Sequence, residues 1–327
     1  MKPNFIDVLL IAVIETTLTK LEQENAKLRE QAAGYDRLRT LNGQYKGRIA
    51  ELENRITGTD ESARSYWTMY QNSEAEVRQL KEQVLELGRK NIAMAAEADE
   101  FMIHESLAHL AALEHPAPRR AIILGGGDGA SARELLKHPN LGRIVVAELD
   151  PAVVCTLRAQ IPTLSAGAFD DPRVELHIGD AARSLKALHD QGEAFDLILF
   201  DLTETDDPAC AHLHDDAFLA LCAASLGPAG IAHVQLGSPF YQPDKVRRLF
   251  QRLRRAFAEV RLSLISVPLY GGPWLLARCS TRPTPSPDAN LLQQRLEERG
   301  IHGLRYYNPA LHLASEALPN HLRDLLA

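Results

Sequence analysis

The chain has 327 residues, 45% of them apolar and 24% charged, and a formal net charge of −7. That composition is globular, long enough for one large domain with an appendage, and it excludes a mainly disordered protein. The acidic balance disfavours nonspecific nucleic-acid binding and suits a cationic small-molecule substrate.

Residues 1–97 are almost free of proline and rich in Glu, Gln, Lys, Arg, Leu and Ala, a helical composition. The run FIDVLLIAVI near the start is too short for a membrane span and no small-x-small cleavage pattern follows it. It reads as the start of a buried or oligomeric helix. Ile14, Leu18, Leu21, Asn25, Leu28, Ala32 and Tyr35 recur at alternating spacings of four and three, as a coiled-coil seam requires. Ala63, Tyr66, Tyr70, Ser73, Val77, Leu80, Val84 and Leu87 repeat the pattern. Two seams separated by TGTDES, where Gly58 breaks a helix and Thr59 or Asp60 caps the next, predict a helical hairpin or a kinked long helix. Asn25 at a seam position fixes register or oligomer state. This arm is expected to join copies of the chain into a homo-oligomer, with docking of another protein as the alternative.

From Asp99 onward, short β-rich runs alternate with helical periodicity. RAIILGG, GRIVVAELD, VELHIGD, FDLILFDL, GIAHVQL and VRLSLISVPL read as strands; ASARELLKH, PAVVCTLRAQI, DAARSLKALHDQ and DAFLALCAASL read as helices. This alternation predicts an α/β, Rossmann-like, doubly wound and mostly parallel sheet over residues 98–327, with ligands bound beyond the carboxyl ends of the strands. Cys155, Cys210, Cys222 and Cys279 show no C-x-x-C spacing, so they predict neither a zinc site nor a disulfide framework. They read as reduced, mostly buried thiols of a cytoplasmic protein.

The stretch IILGGGDGASARELLKH carries Gly125, Gly127 and Ala130 in a loose dinucleotide pattern, with Glu148 about twenty residues on to hold a ribose hydroxyl pair. Asp128 argues against a pyrophosphate, because a carboxylate beside phosphate oxygens repels them; it suits a cationic ligand group. Asp180 follows the third strand, where it can accept from an adenine amino group, and Asp201 ends the fourth. Acids at three successive strand ends fit an adenosyl sulfonium better than NAD.

DEFMIHESLAHLAALEHPAPRRAIILGGGDGASARELLKHP, VVAELDPAVV, DDPRVELHIGDAARSL, FDLILFDLTETDDPA and LRYYNPALHLASEALPNHLRDLL together resemble, in order and spacing, the spermidine synthase family of polyamine aminopropyltransferases. The resemblance covers roughly residues 98–327. It implies a methyltransferase-like Rossmann fold, decarboxylated S-adenosylmethionine as co-substrate, and transfer of its aminopropyl group to an amine with release of methylthioadenosine. By position it implies that Asp128 holds the aminopropyl ammonium, Glu148 the ribose, and Asp180 with Ala181 the adenine. Asp201 orients the acceptor amine and takes its proton, since an amine attacks carbon only as its neutral form. Gln235 and Tyr270 stand where the family lines its amine channel, and His104 where it has a polar residue near the nucleoside. Trp274 is expected in the core. His177, His212, His214 and His233 lack metal-ligand partners at sensible spacing and read as structural; no metal is needed, because a sulfonium is already a good leaving group.

The departures fall on the acceptor side. Ile103 replaces the tyrosine that usually precedes HE or QE and cannot donate a hydrogen bond. The second acid of the family's D-x-x-D-P becomes Glu204, followed by Thr205, with Asp206 or Asp207 as substitutes. Glu316 stands for a phenylalanine before the terminal ALP. The helical arm replaces the small N-terminal β domain that closes the channel. These changes point to an acceptor other than putrescine, larger or branched. Two other readings remain at this stage: an S-adenosylmethionine-dependent N-methyltransferase, disfavoured by Asp128 near the methionine carboxylate, and a catalytically disabled polyamine or nucleoside sensor.

Overall fold

The computed structural model of the chain describes residues 34, 36–51, 67–74, 78, 98–202 and 210–327. The chain divides into two compact units, Met1–Met94 and Ala95–Ala327. In the first, residues 36–51 and 67–74 are helical. Lys46 Nζ lies 3.9 Å from Glu74 Oε1 and 5.5 Å from the centre of the Tyr70 ring. One straight helix would separate Lys46 and Tyr70 by about 36 Å at its usual rise, so the two helical segments are neighbours and not parts of one straight helix. The first seam, the TGTDES break and the early apolar run lie outside the described residues. Of the second seam only Tyr70 and Ser73 are described; Ser73 is buried and Tyr70 half-buried.

The second unit is built on seven strands: β1 Arg120–Gly125, β2 Arg143–Glu148, β3 Val174–Ile178, β4 Phe195–Asp201, β5 Leu226–Gly237, β6 Glu259–Val267 and β7 Gly272–Ser280. Their order is β3-β2-β1-β4-β5-β7-β6. The pairs from β3 across to β5 are parallel, and β7 runs antiparallel between β5 and β6. The sheet is therefore mostly parallel, as expected. β7 is the strand that the sequence reading lacks. Its apolar stretch is Trp274, Leu275, Leu276 and Ala277, framed by two glycines and a proline before it and Arg278 after it, a short run beside the longer ones.

Uninterrupted apolar runs arise because both faces of the sheet are covered. Ala121, Ile123, Ile144, Val146, Leu197 and Leu199 pack on one face against Leu107, Ala108 and Ala111 of a helix spanning residues 98–112 and against Ala132 and Leu135 of the helix Ala130–Leu136. Ile122, Leu124, Val145, Ile198, Phe200 and Val234 point the other way, toward the helices Ala181–Asp190, Asp216–Ser225 and Pro243–Ala256. The C-terminal tail is tied to the 98–112 helix by Glu105, whose buried carboxylate accepts from the backbone N–H groups of Arg305, Tyr306 and Tyr307, each at 2.8 Å. Glu316, at the family's phenylalanine position, pairs with the buried guanidinium of Arg278. All four cysteines are free: Cys222 and Cys279 are buried, Cys210 is half-buried and Cys155 is exposed, so burial holds for two only. No described helix is long and apolar enough to cross a membrane.

Candidate active site

The carboxyl ends of β1, β2, β3 and β4 share one edge of the sheet. Gly125 of β1 is in register with Asp201 of β4, and Glu148 of β2 with Ile178 of β3. The connections leave β1 on opposite sides toward β2 and β4, so a crevice opens there. It holds a cavity of about 520 Å³ lined by residues that include Asp99, His104, Asp128, Glu148, Asp180 and Asp201. Gly125, Gly127, Ala181, Gln235 and Tyr270 line it too. The structure therefore brings the predicted site residues together, except Glu204, which with Asp206 and Asp207 lies outside the described residues.

The glycine loop is shaped by close approach. At Gly125, with φ +81°, a Cβ would fall 2.2 Å from the Asp201 carbonyl oxygen; at Gly127 it would fall 2.7 Å from Glu148 Oε2. Side chains at either position would push the loop off the sheet edge. The Gly127 N–H donates to Glu148 Oε2 at 3.0 Å and the Asp150 N–H to Oε1 at 2.9 Å, so Glu148 holds the loop as well as facing the cavity. Asp128 Oδ1 accepts from the Ala130 N–H at 2.8 Å, which leaves Oδ2 turned inward. Asp180 caps the next helix through the Arg183 N–H, and its other oxygen lies 2.6 Å from His212 Nε2. His212 does not line the cavity but orients Asp180, which does. It sits in a short turn beyond β4 with no sequence signal linking it to Asp180. His214 and His233 fit the structural reading, since burial depresses both imidazoles to pKa values of about 4.

The inner wall is a cluster of charges. His104 Nδ1 lies 2.8 Å from Glu100 Oε2, and Nε2 lies 3.4 Å from Asp128 Oδ2 and 4.0 Å from Asp201 Oδ2. Arg133 Nη2 donates to both oxygens of Glu100, at 3.1 and 2.9 Å. Burial alone would depress His104, but Asp128, Glu100 and Asp201 outweigh it and hold the imidazolium pKa well above its ordinary value. Burial works against the Asp128 carboxylate too, yet His104 holds its pKa below the usual range. Asp201 goes the other way: burial, with the like charges of Asp128 and Glu148, raises it to about 6 against the opposing pull of His104. Its Oδ2 is buried and has no hydrogen-bond partner. A carboxylate whose proton affinity is raised toward neutrality, on a residue that lines the cavity, is equipped to take a proton.

On the acceptor side, Gln235 Nε2 lies 3.4 Å from Asp201 Oδ1, and its Oε1 accepts from Trp274 Nε1 at 3.1 Å. Trp274 also packs on Tyr270 with ring centres 4.5 Å apart. It is half-buried and packs against the core as expected, while its N–H also orients Gln235. Ile103 is 2% exposed and packs with Tyr270 and Trp274, so the wall that a tyrosine hydroxyl would occupy is apolar. A second cavity of about 380 Å³ shares Leu202, Gln235, Leu269 and Tyr270 with the first. Asp99, missed in the sequence, accepts from the Leu269 N–H at 2.7 Å and has its other oxygen buried without a partner. Glu100, four residues before His104 on one helix, was legible as an i,i+4 pair; Arg133 was not.

Comparison with known proteins places this arrangement. The model of the spermine/spermidine synthase domain matches residues 100–287. A polyamine aminopropyltransferase of Nitrosomonas europaea is 39% identical over 235 residues, covering 72% of this chain and 71% of its own. One from Yersinia pestis is 36% identical over 247 residues, covering 74% and 82%. Among solved structures, spermidine synthase from Thermotoga maritima aligns with a TM-score of 0.63 and 32% identity over 70% of this chain and 76% of its own. A spermidine synthase in complex with the transition state analogue AdoDATO aligns at 0.64 and 31%, with the same coverage. The chain belongs to the spermine/spermidine synthase family and is a polyamine aminopropyltransferase.

Proposed function

We propose that the enzyme takes decarboxylated S-adenosylmethionine as donor, that Asp201 accepts the proton of the acceptor amine, and that the preferred acceptor is longer or more branched than putrescine. The observation that carries the mechanism is the pair Asp128 and Asp201 facing one cavity, with Asp201 Oδ2 unpartnered and its pKa near 6. Asp128 offers charge to a primary ammonium; a methionine carboxylate at that place would be repelled. Glu148 and Asp180, at neighbouring strand ends, suit the ribose hydroxyls and the adenine amino group. Asp201 removes a proton from the acceptor ammonium, and the nitrogen lone pair attacks the propyl carbon next to sulfur. The carbon–sulfur bond breaks with its electron pair going to sulfur, which leaves as a neutral thioether. Gln235 holds Asp201 in place, and Tyr270 offers an aromatic face to the amine.

The acceptor reading rests on Ile103 and on the continuation of the cavity past Gln235 and Tyr270. A short diamine finds no hydroxyl at Ile103 to fix it, whereas a longer amine gains the second cavity. The arm, residues 1–97, is proposed as the element that joins copies of the chain; a monomeric full-length protein in sedimentation velocity would end that part of the proposal.

The test is a mass-spectrometric end-point assay with decarboxylated S-adenosylmethionine, and separately S-adenosylmethionine, against putrescine, cadaverine, spermidine, spermine and agmatine. Expected are methylthioadenosine and an acceptor heavier by one aminopropyl unit, with a polyamine outpacing putrescine. Putrescine as the best substrate overturns the acceptor reading, and S-adenosylhomocysteine overturns the donor. Nucleoside binding without turnover of either donor makes the chain a sensor.

A further inference from the structure

His104 is buried, and both of its ring nitrogens are turned to carboxylates: Nδ1 to Glu100 at 2.8 Å, Nε2 to Asp128 at 3.4 Å and Asp201 at 4.0 Å. An ionised carboxylate only accepts hydrogen bonds. Glu100 at hydrogen-bond distance therefore takes the Nδ1 hydrogen, and the carboxylates of Asp128 and Asp201 on the other side favour a hydrogen on Nε2 as well. In the free enzyme the ring is therefore a cation lodged at the place where two acids of the site converge.

The groups that face it come from every element around the crevice. Asp99 and Glu100 stand on its own helix, Asp128 on the glycine loop, Arg133 behind Glu100, Glu148 at the end of β2, Asp201 at the end of β4 and Tyr270 in the turn after β6. Arg133 is committed to Glu100 and Glu134, which leaves the imidazolium to neutralise Asp128 and Asp201. A ligand ammonium that binds to Asp128 meets that cation at hydrogen-bonding distance, and two positive charges cannot share the place in a dry site.

We propose that His104 is a proton-coupled ligand for the donor: an imidazolium fills the ammonium subsite in the free enzyme, and on donor binding Nε2 gives its proton to solvent and accepts from the donor's primary ammonium. The inference rests on the decarboxylated donor proposed above. Glu100 sets the direction of the switch. It retains the Nδ1 proton, so Nε2 is the nitrogen that loses its hydrogen and becomes an acceptor. The ammonium then has Asp128, Asp201 and an imidazole nitrogen around it, and the proton lost offsets its charge, while the sulfonium's charge remains to be met by the acids of the pocket. A nucleoside without the ammonium has no reason to displace the proton, so His104 distinguishes donor from the methylthioadenosine product.

Isothermal titration calorimetry at pH 7.5, in two buffers of different ionisation heat and without amine, counts the protons released. The ligands are decarboxylated S-adenosylmethionine and 5′-methylthioadenosine, on the full chain and on His104→Gln, which keeps an acceptor but cannot be charged. Expected is close to one proton released per donor bound, none with methylthioadenosine, and clearly less from the variant, in which the proton that leaves is the fraction held by Asp201 once the imidazolium no longer opposes its raised affinity. The donor Kd of the unsubstituted enzyme should go on tightening from pH 6.5 to 8, while that of the variant levels off as Asp201 becomes ionised. At pH 7.5 Asp201 of the unsubstituted enzyme, with its pKa of about 6, is already ionised and contributes little. Binding of the donor without proton release, or equal release with both ligands, overturns the proposal whether or not the variant folds; release from His104→Gln as large as the parent's at pH 8, where Asp201 is ionised, also overturns it. If the donor does not bind at all, the donor reading falls and this inference falls with it.

Discussion

Asp201→Asn should make the enzyme nearly inactive and, at neutral pH, more stable. The carboxylate is raised from an ordinary 3.8 to about 6, and between those values the folded protein holds a proton that the unfolded chain has lost. Stability therefore falls as pH rises through that window, and above about pH 6 the whole cost is present. A rise of that size corresponds to about 3 kcal/mol. The attraction of His104 is already contained in that net rise; burying the amide that replaces the carboxylate takes back part of the gain, which leaves about 1–3 kcal/mol. The isostere preserves the contact with Gln235, since its carbonyl can take the place of Oδ1. Urea denaturation followed by circular dichroism at pH 7.5 and pH 4 reads the effect: a gain at the higher pH that shrinks toward zero at the lower one, where Asp201 is protonated in the folded enzyme. In parallel, kcat for methylthioadenosine release should drop by about 10²- to 10⁴-fold, the usual contribution of a general base. A variant less stable than its parent at pH 7.5 would refute the electrostatic argument. Retention of kcat within tenfold would show that another group takes the proton.

Ile103→Tyr places a hydroxyl on the apolar wall beside Tyr270 and Trp274; kcat/KM for putrescine should rise at least tenfold relative to that for spermidine, at a packing cost of about 1–3 kcal/mol. An unchanged ratio of the two in competition assays would mean that the residue does not select the acceptor. His212→Ala frees Asp180 from its 2.6 Å partner. Loss of that orienting hydrogen bond should raise the donor KM about three- to tenfold and leave kcat alone; a lower KM would show that His212 competes with the nucleoside.

The donor half of the site was readable in the sequence because its residues sit at positions that the fold dictates. Parallel strands end on one edge, so the acids that close VVAELD, HIGD and LILFD converge whatever packs behind them. The glycines of the loop are legible for the same reason, since β1 and β4 lie in register and leave no room for a Cβ at Gly125. β7 escaped notice because a strand inserted between β5 and β6 needs little apolar sequence of its own. The partners of the site residues were hidden in another way. His212 reaches Asp180 across 32 residues and Arg133 reaches Glu100 across 33; no spacing rule connects such pairs, and only the closed sheet does. Trp274 shows the limit most plainly, since an indole reads as core and only the fold shows its N–H donating to Gln235 as well.

The same distinction explains why the charge balance of the pocket could not be read from the chain alone. A row of acids predicts a cationic ligand, but it does not say how the free protein tolerates them. Buried carboxylates without counter-charges would protonate or unfold the edge of the sheet. Here Arg133 and His104 settle Glu100, His104 settles Asp128, and the proton affinity of Asp201 rises, as does that of Asp99. Asp201 is thus the acid proposed above to take the acceptor's proton. Its raised proton affinity follows from placing three carboxylates around a single imidazole: Glu100 and Asp128 lie nearer to it and stay ionised, and Asp201, at 4.0 Å with Oδ2 lacking a hydrogen-bond partner, is compensated least.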